Sequence, residues 1–90
     1  MSAYVTIMDE SMVASLVDRA ADFFDLHFPG IPRDHLAVLM ILHLSKHPVA
    51  LEYEDLEDSV VFLQLYKRYV AGDITIKKVD CEYKVYVGGA

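Results

Sequence analysis

Hydrophobic and polar positions divide this chain into a few clear blocks. The most apolar runs from Leu36 to Leu44; it holds no charged residue, and His43 is its one polar side chain. A helix that is apolar on every side must be covered on every side. The stretch is far shorter than the roughly 20 residues needed to cross a bilayer. Its cover must come from the rest of the chain or from a partner, and it reads as a central core helix over residues 32–47. Pro32 suits the first turn of such a helix. His47 precedes Pro48 and is pushed towards extended geometry, which ends the helix near Lys46.

Upstream, Met12, Leu16, Ala20, Phe23 and His27 recur at helical spacing, with Val13, Val17 and Phe24 beside them. Asp18, Asp22 and Asp25 fall on the opposite side. The pattern predicts an amphipathic helix over residues 8–28 with an acidic outer face. Thr6 or Asp9 can cap it, and Asp9 and Glu10 suit its positive N-terminal end. Phe28-Pro29-Gly30-Ile31-Pro32 stops it, because two prolines around a glycine cannot continue a helix. Residues 1–7 form a lead or a short edge strand carrying Tyr4, Val5 and Ile7.

Beyond Pro48, Val49, Leu51 and Tyr53 alternate with Ala50, Glu52 and Glu54, which predicts a short strand. Glu54-Asp55-Leu56-Glu57-Asp58 then places four acids ahead of a third helix over residues 55–71. Asp55 or Asp58 would cap it and Gly72 would end it. Residues 74–87 read as a β-hairpin turning at Asp80-Cys81. That register sets Ile76 opposite Val85 and Lys77 opposite Lys84. Gly88-Gly89-Ala90 would be a frayed tail. The expected fold is one α+β domain: a three-helix core with a C-terminal antiparallel β-hairpin.

Composition adds two points. The hydrophobic fraction is 54%, above the usual range of about 45–50%, so apolar surface is left over for a partner or a second copy. The net charge of −6 is uneven: residues 1–63 carry three basic and eleven acidic groups, residues 64–90 five basic and three acidic. An acidic protein repels nucleic-acid phosphate. The single cysteine, Cys81, excludes an internal disulfide framework and fits a reducing, cytoplasmic setting. Asp9 and Glu10 come too early for a signal peptide, and no membrane segment is expected.

From Leu36 to Val87 the order is core helix, Lys-His-Pro break, short strand, acidic segment, helix, hairpin. With Leu39-Met40-Ile41-Leu42-His43-Leu44-Ser45-Lys46-His47-Pro48 and Tyr66-Lys67-Arg68-Tyr69-Val70-Ala71-Gly72-Asp73-Ile74, it resembles a winged helix-turn-helix domain of small bacterial regulators. The resemblance implies a DNA-binding transcription regulator, dimeric through its first helix. Gln64, Lys67, Arg68, Lys77, Lys78 and Lys84 would then touch nucleic acid. Two departures make the match degenerate. Only Glu52 to Asp58 is available for the helix that normally precedes the recognition helix. The third helix also offers a single good base reader, Gln64, and carries acids at the end that would enter the groove.

With Phe62, Tyr66 and Tyr69 turned inward, the outward positions of the third helix are Ser59, Val60, Leu63, Gln64, Lys67 and Val70, with Val61 and Leu65 at the edges. That surface suits protein better than DNA, since interfaces use buried aliphatic and aromatic anchors with a charged rim. The favoured expectation is therefore a non-enzymatic interaction module, of the kind phage-type inhibitors and adaptors use on larger nucleic-acid-handling proteins. Val60, Leu63, Gln64, Lys67, Arg68 and Tyr86 would form the partner surface, with a homodimer as a second option.

Candidate chemistry is thin. His43 and His47 have a metal-ligand spacing, but Leu44 stands where the zinc-protease signature needs Glu. Cys81 lies between Asp80 and Glu82 with no positioned base beside it, and reads as an incidental surface thiol. Asp18, Asp22 and Asp25 read as a solvated face. No catalytic, metal or cofactor residue is expected.

Overall fold

The computed structural model describes residues 4–88, and the elements run β1 (Tyr4–Asp9), α1 (Glu10–His27), α2 (Arg33–Leu44), α3 (Pro48–Leu51), α4 (Asp58–Val70), β2 (Ile74–Val79) and β3 (Glu82–Val87). The fold is α+β, with the helices leading into a C-terminal antiparallel hairpin, a winged-helix-like layout. The hairpin takes the expected register: Ile74 faces Val87, Ile76 faces Val85 and Lys77 faces Lys84. β1 adds a third strand on the other side of β3, giving the order β1-β3-β2. Met1 to Ala3 of the expected lead, and Gly89 and Ala90 of the expected tail, lie outside the described residues. Gly88 is held, its amide donating to the Asp73 carbonyl at 3.1 Å.

α2 is the central helix. Leu36, Ala37, Val38, Leu39 and Leu42 are buried among Val13 and Phe24 of α1, Val61, Phe62 and Leu65 of α4, and Ile74, Tyr83, Val85 and Val87 of the sheet. The sheet presents one face to this core. Met8, Ile76, Val85 and their like-facing neighbours point in, while Val5, Ile7, Lys77, Lys84 and Tyr86 point out, as strand alternation requires.

Several elements depart from the sequence pattern. The segment expected as a short strand, Val49 to Tyr53, begins in a one-turn helix instead. Pro48 sits in its first turn and the His47 side chain accepts from the Val49 amide at 3.2 Å, so local capping overrides weak alternation. α4 begins at Asp58 with Glu57 in the capping position, and no side chain caps it; neither Asp55 nor Asp58 does. α1 starts at Glu10 rather than Met8, because β1 continues to Asp9, whose carboxylate accepts from the Ser11 amide at 2.7 Å.

The core side of α1 is also turned from the expected one. Val13 and Phe24 are its buried residues, with Leu16, Val17 and Ala20 packed alongside, while Met12, Phe23 and His27 of the expected face are exposed. On α4, Val61 and Leu65 are fully in the core rather than at its edges.

Both α2 and α4 end in the same turn. Lys46 and Gly72 each take a left-handed backbone, with φ of 55° and 87°. The next amide reaches back in each case: His47 N–H to Leu42 O at 3.0 Å and Asp73 N–H to Arg68 O at 2.9 Å. This is the Schellman closure, which satisfies the last helical carbonyls.

Candidate functional site

The core does not close over α2 on every side. Along its Met40–Leu44 flank a groove of about 470 Å³ stays open between α1 and α4. α1 supplies Phe23 and His27 to one wall, with Phe28 just beyond its end. α2 supplies Met40, His43 and Leu44 to the floor, and α4 supplies Asp58, Ser59, Phe62 and Leu63 to the other wall. Phe23 is 46% exposed, Leu44 66% and Leu63 40%. The Leu36–Leu44 stretch, apolar all round, is thus covered on three sides and left bare at one end.

Aromatic packing holds the walls. Phe28 lies edge-on to Phe62 with ring centroids 5.3 Å apart and tilts against Tyr66 at 4.8 Å. Phe23 tilts against the His27 ring one turn away, at 4.6 Å. The polar groups of the lining are few. His43 Nε2 lies 3.4 Å from Asp58 Oδ1, the histidine mostly covered and the carboxylate fully in solvent. A second hollow, of about 330 Å³, adjoins across Leu44 and is bounded by Met12, Leu16, Arg19, Ile41 and Ser45. The α1–α2 seam therefore offers apolar surface over most of the length of α1. Groups so arranged can bury carbon against carbon and rim it with a few charges, which is how protein interfaces are built.

The structure scatters the residues expected at the partner surface. Leu63 lies in the groove. Val60 and Gln64 are half-buried on another side of α4, and Lys67 is exposed. Arg68 is committed within the fold: its guanidinium donates to Asp73 Oδ2 at 2.5 Å and to Glu52 Oε2 at 2.9 Å. Tyr86 stands on the outer face of the sheet, its ring 5.7 Å from the Lys77 ammonium. Of the set expected for nucleic acid, Lys78 pairs with Glu10 at 3.2 Å, whereas Lys77 and Lys84 stand opposite each other in the register.

His43 and His47 do not share a helix face. α2 ends between them, and His47 turns to Thr6 while His43 turns to Asp58. Among the described residues no group of three or more His, Cys, Asp or Glu is placed to hold a metal ion. No described helix is long and apolar enough to cross a membrane. Cys81 is exposed at the hairpin turn, and Asp18, Asp22 and Asp25 are exposed, with Asp25 ion-paired to Arg33.

Sequence reasoning missed Phe23, Met40 and Leu44 as lining of the groove. A signal for α1 was present: Met12, Leu16, Arg19, Phe23 and Leu26 succeed one another at intervals of four and three, a second seam beside the core-facing one. Comparison with protein-family models, curated proteins and solved structures finds no match for this chain.

Proposed function

We propose that this protein is a non-enzymatic interaction module that docks through the apolar face shared by α1, α2 and α4. One observation carries the reading: the exposed side chains of Phe23, Leu44 and Leu63, from three different helices, converge on a single groove. Scattered apolar residues are ordinary on protein surfaces, but a contiguous apolar patch rimmed by polar groups marks a binding site. The exposed acids of residues 54–58 at the start of α4 border one end and suit a charged rim that steers association. Inhibitor or adaptor roles on a larger protein, of the phage type, belong to this reading.

The test is a pair of surface variants, Leu44→Asp and Leu63→Asp, beside a control on the sheet, Val79→Asp. Wild type and control are expected to share a specific associate, whether another protein or a second copy, that both groove variants lose. Identical association in all four proteins would overturn the reading.

A second reading, nucleic-acid binding, draws support from the Lys77–Lys84 pair beside Tyr86 on the outer sheet face. Two like charges set side by side favour an anionic partner. Arg68 and Lys78 are already paired, which leaves Lys67, Lys77 and Lys84 for phosphate. Lys77→Glu/Lys84→Glu should abolish a low-salt mobility shift if that reading holds.

A further inference from the structure

We infer that the occupant of the open groove is a basic amphipathic helix of another protein. Its apolar stripe sits between α1 and α4, and its lysines or arginines turn to the acids that precede and open α4. The inference rests on the reading of the α1–α2–α4 face as an interaction surface and names the chemistry of what fills it.

Shape favours a rod. The groove runs on across Leu44, which lines both it and the smaller hollow beside Met12 and Arg19. Followed along α1 from Met12 to His27, at about 1.5 Å per residue, the trough is about 22 Å long, which matches about four turns of helix. Met12, Phe23, Leu44 and Leu63 stand exposed along it, contributed by three helices. A helix laid on such a surface sets a side chain against it at every third or fourth position. The walls and floor are themselves helices, so they present no sheet edge to an incoming strand. An extended segment would bury its amides and carbonyls there unpaired, whereas a helix satisfies them internally.

Charge selects a basic rod. Among the described residues lining the groove, Asp58 is the one carboxylate, and there is no lysine or arginine. The Asp58 side chain is 94% exposed, with His43 as its one ion-pair partner. Glu54, Asp55 and Glu57 lead into it, each exposed and each without an ion pair among the described residues. Four carboxylates thus stand at the α4 mouth of the trough, where a lysine or arginine beside an apolar anchor would meet opposite charge. A nucleic acid would meet repulsion there, and so would a second copy of this chain, at net charge −6. At the other end Arg19 is the one charged residue of the smaller hollow, and among the described residues it makes no ion pair. The trough therefore has a direction: the occupant's basic end lies at α4, and its other end accommodates acid.

Fluorescence anisotropy on the full chain tests this with labelled synthetic peptides of about four helical turns. One carries leucine at every third and fourth position and lysines at one end. A second replaces those lysines by glutamate. A third scrambles the first so that its stripe is lost. The lysine peptide should bind at least about tenfold more tightly than the other two. Leu44→Asp and Leu63→Asp should abolish its binding, and Val79→Asp on the sheet should leave it unchanged. Asp55→Lys/Asp58→Lys should turn the preference towards the glutamate peptide. Asp55→Lys/Glu57→Lys, which leaves the first turn of α4 intact, should narrow it, and circular dichroism would show that both variants fold. Equal binding of the lysine and glutamate peptides, equal binding of the scrambled one, or a preference indifferent to Asp55→Lys/Asp58→Lys would overturn the proposal. So would a wild-type dimer in sedimentation velocity that Leu63→Asp dissolves, since the groove would then hold a second copy. If the peptides fail while Leu44→Asp and Leu63→Asp still lose the associate of the wild type, only the basic helix is refuted; if those variants lose nothing, the interaction reading falls with it.

Discussion

His47 donates its Nε2 proton to the Thr6 hydroxyl at 2.6 Å, joining the start of α3 to β1 across 41 residues of chain. The tautomer follows from the other ring nitrogen: Nδ1 accepts from the Val49 amide, so the proton sits on Nε2. The neutral ring satisfies both partners, and the imidazolium would break the bond at Nδ1. Burial pushes the His47 pKa below its ordinary 6.5. The folded state thus binds its proton more weakly than the unfolded chain. Its contribution to stability is complete above pH 6.5 and is lost as pH falls through the depressed folded value. Thermal unfolding of wild type and His47→Asn should show the wild type ahead at neutral pH and the gap closing in acid. A gap independent of pH would contradict this role.

The two Schellman turns make a matched pair of predictions. Lys46 and Gly72 occupy equivalent positions after α2 and α4, and only glycine takes a left-handed backbone without steric cost. Lys46→Gly should stabilise the fold by about 0.5 kcal/mol, the relief of strain exceeding the extra freedom gained by the unfolded chain. Gly72→Ala should cost about 1 kcal/mol. No atom crowds a methyl group there, so the loss would be conformational. Urea denaturation of the two variants checks both signs; a stabilising Gly72→Ala would refute the account.

Arg68 supplies the third. It ties the end of α3, through Glu52, to the turn between α4 and β2, through Asp73, and only 21% of its side chain is exposed. A planar guanidinium presents a rigid fork of five donors to two carboxylates at once; a lysine ammonium is a point charge with three rotatable donors and holds neither geometry. Arg68→Lys should cost about 1–2 kcal/mol, and Glu52→Gln in the Arg68→Lys background should add less than it does alone. Additive losses in this double-mutant cycle would show that Arg68 and Glu52 act independently.

The hairpin, the core helix and the amphipathic character of α1 were legible because each has its own periodicity. Ile74, Ile76, Val85 and Val87 alternate on one face, and their register followed from the turn. The fate of Val49–Tyr53 was not legible: alternation over five residues is weak, and a proline preceded by a histidine able to cap it tips the segment into a helical turn. Residues 1–7 could be read as a lead or a short edge strand, but no local pattern announced that this strand would pair with β3, since that pairing closes a loop of nearly the whole chain. The groove was half legible. Leu63 stood out on its helix, but Phe23 and Leu44 became part of a site only through the crossing of three helices. Arg68 shows the converse: as a basic residue near Lys67 it resembles a contact for a partner, while its use inside the fold depends on Glu52 and Asp73 arriving from other elements.

Tyr83 and Asp34 yield the last prediction. The phenol, buried under the sheet, donates to Asp34 Oδ2 at 2.9 Å, and Asp34 Oδ1 accepts from the His35 amide at 3.0 Å in the first turn of α2. His35 Nδ1 lies 2.6 Å from the Tyr69 hydroxyl of α4, so one chain of polar contacts links β3, α2 and α4. Burial first, and then the bond to Asp34, hold the Tyr83 phenol neutral and push its pKa up to about 12. An unfolded tyrosine ionises near 10, so between those values the unfolded chain releases a proton that the folded one keeps. The contribution of Tyr83 is therefore complete below pH 10 and is lost as pH rises towards 12. At neutral pH, Tyr83→Phe should cost about 1 kcal/mol for the missing hydrogen bond. Above pH 10 the wild type should lose stability more steeply than the variant, until the two converge. Denaturant melts between pH 7 and 11 would measure this, and parallel curves across that range would show that the folded state does not hold the phenol proton.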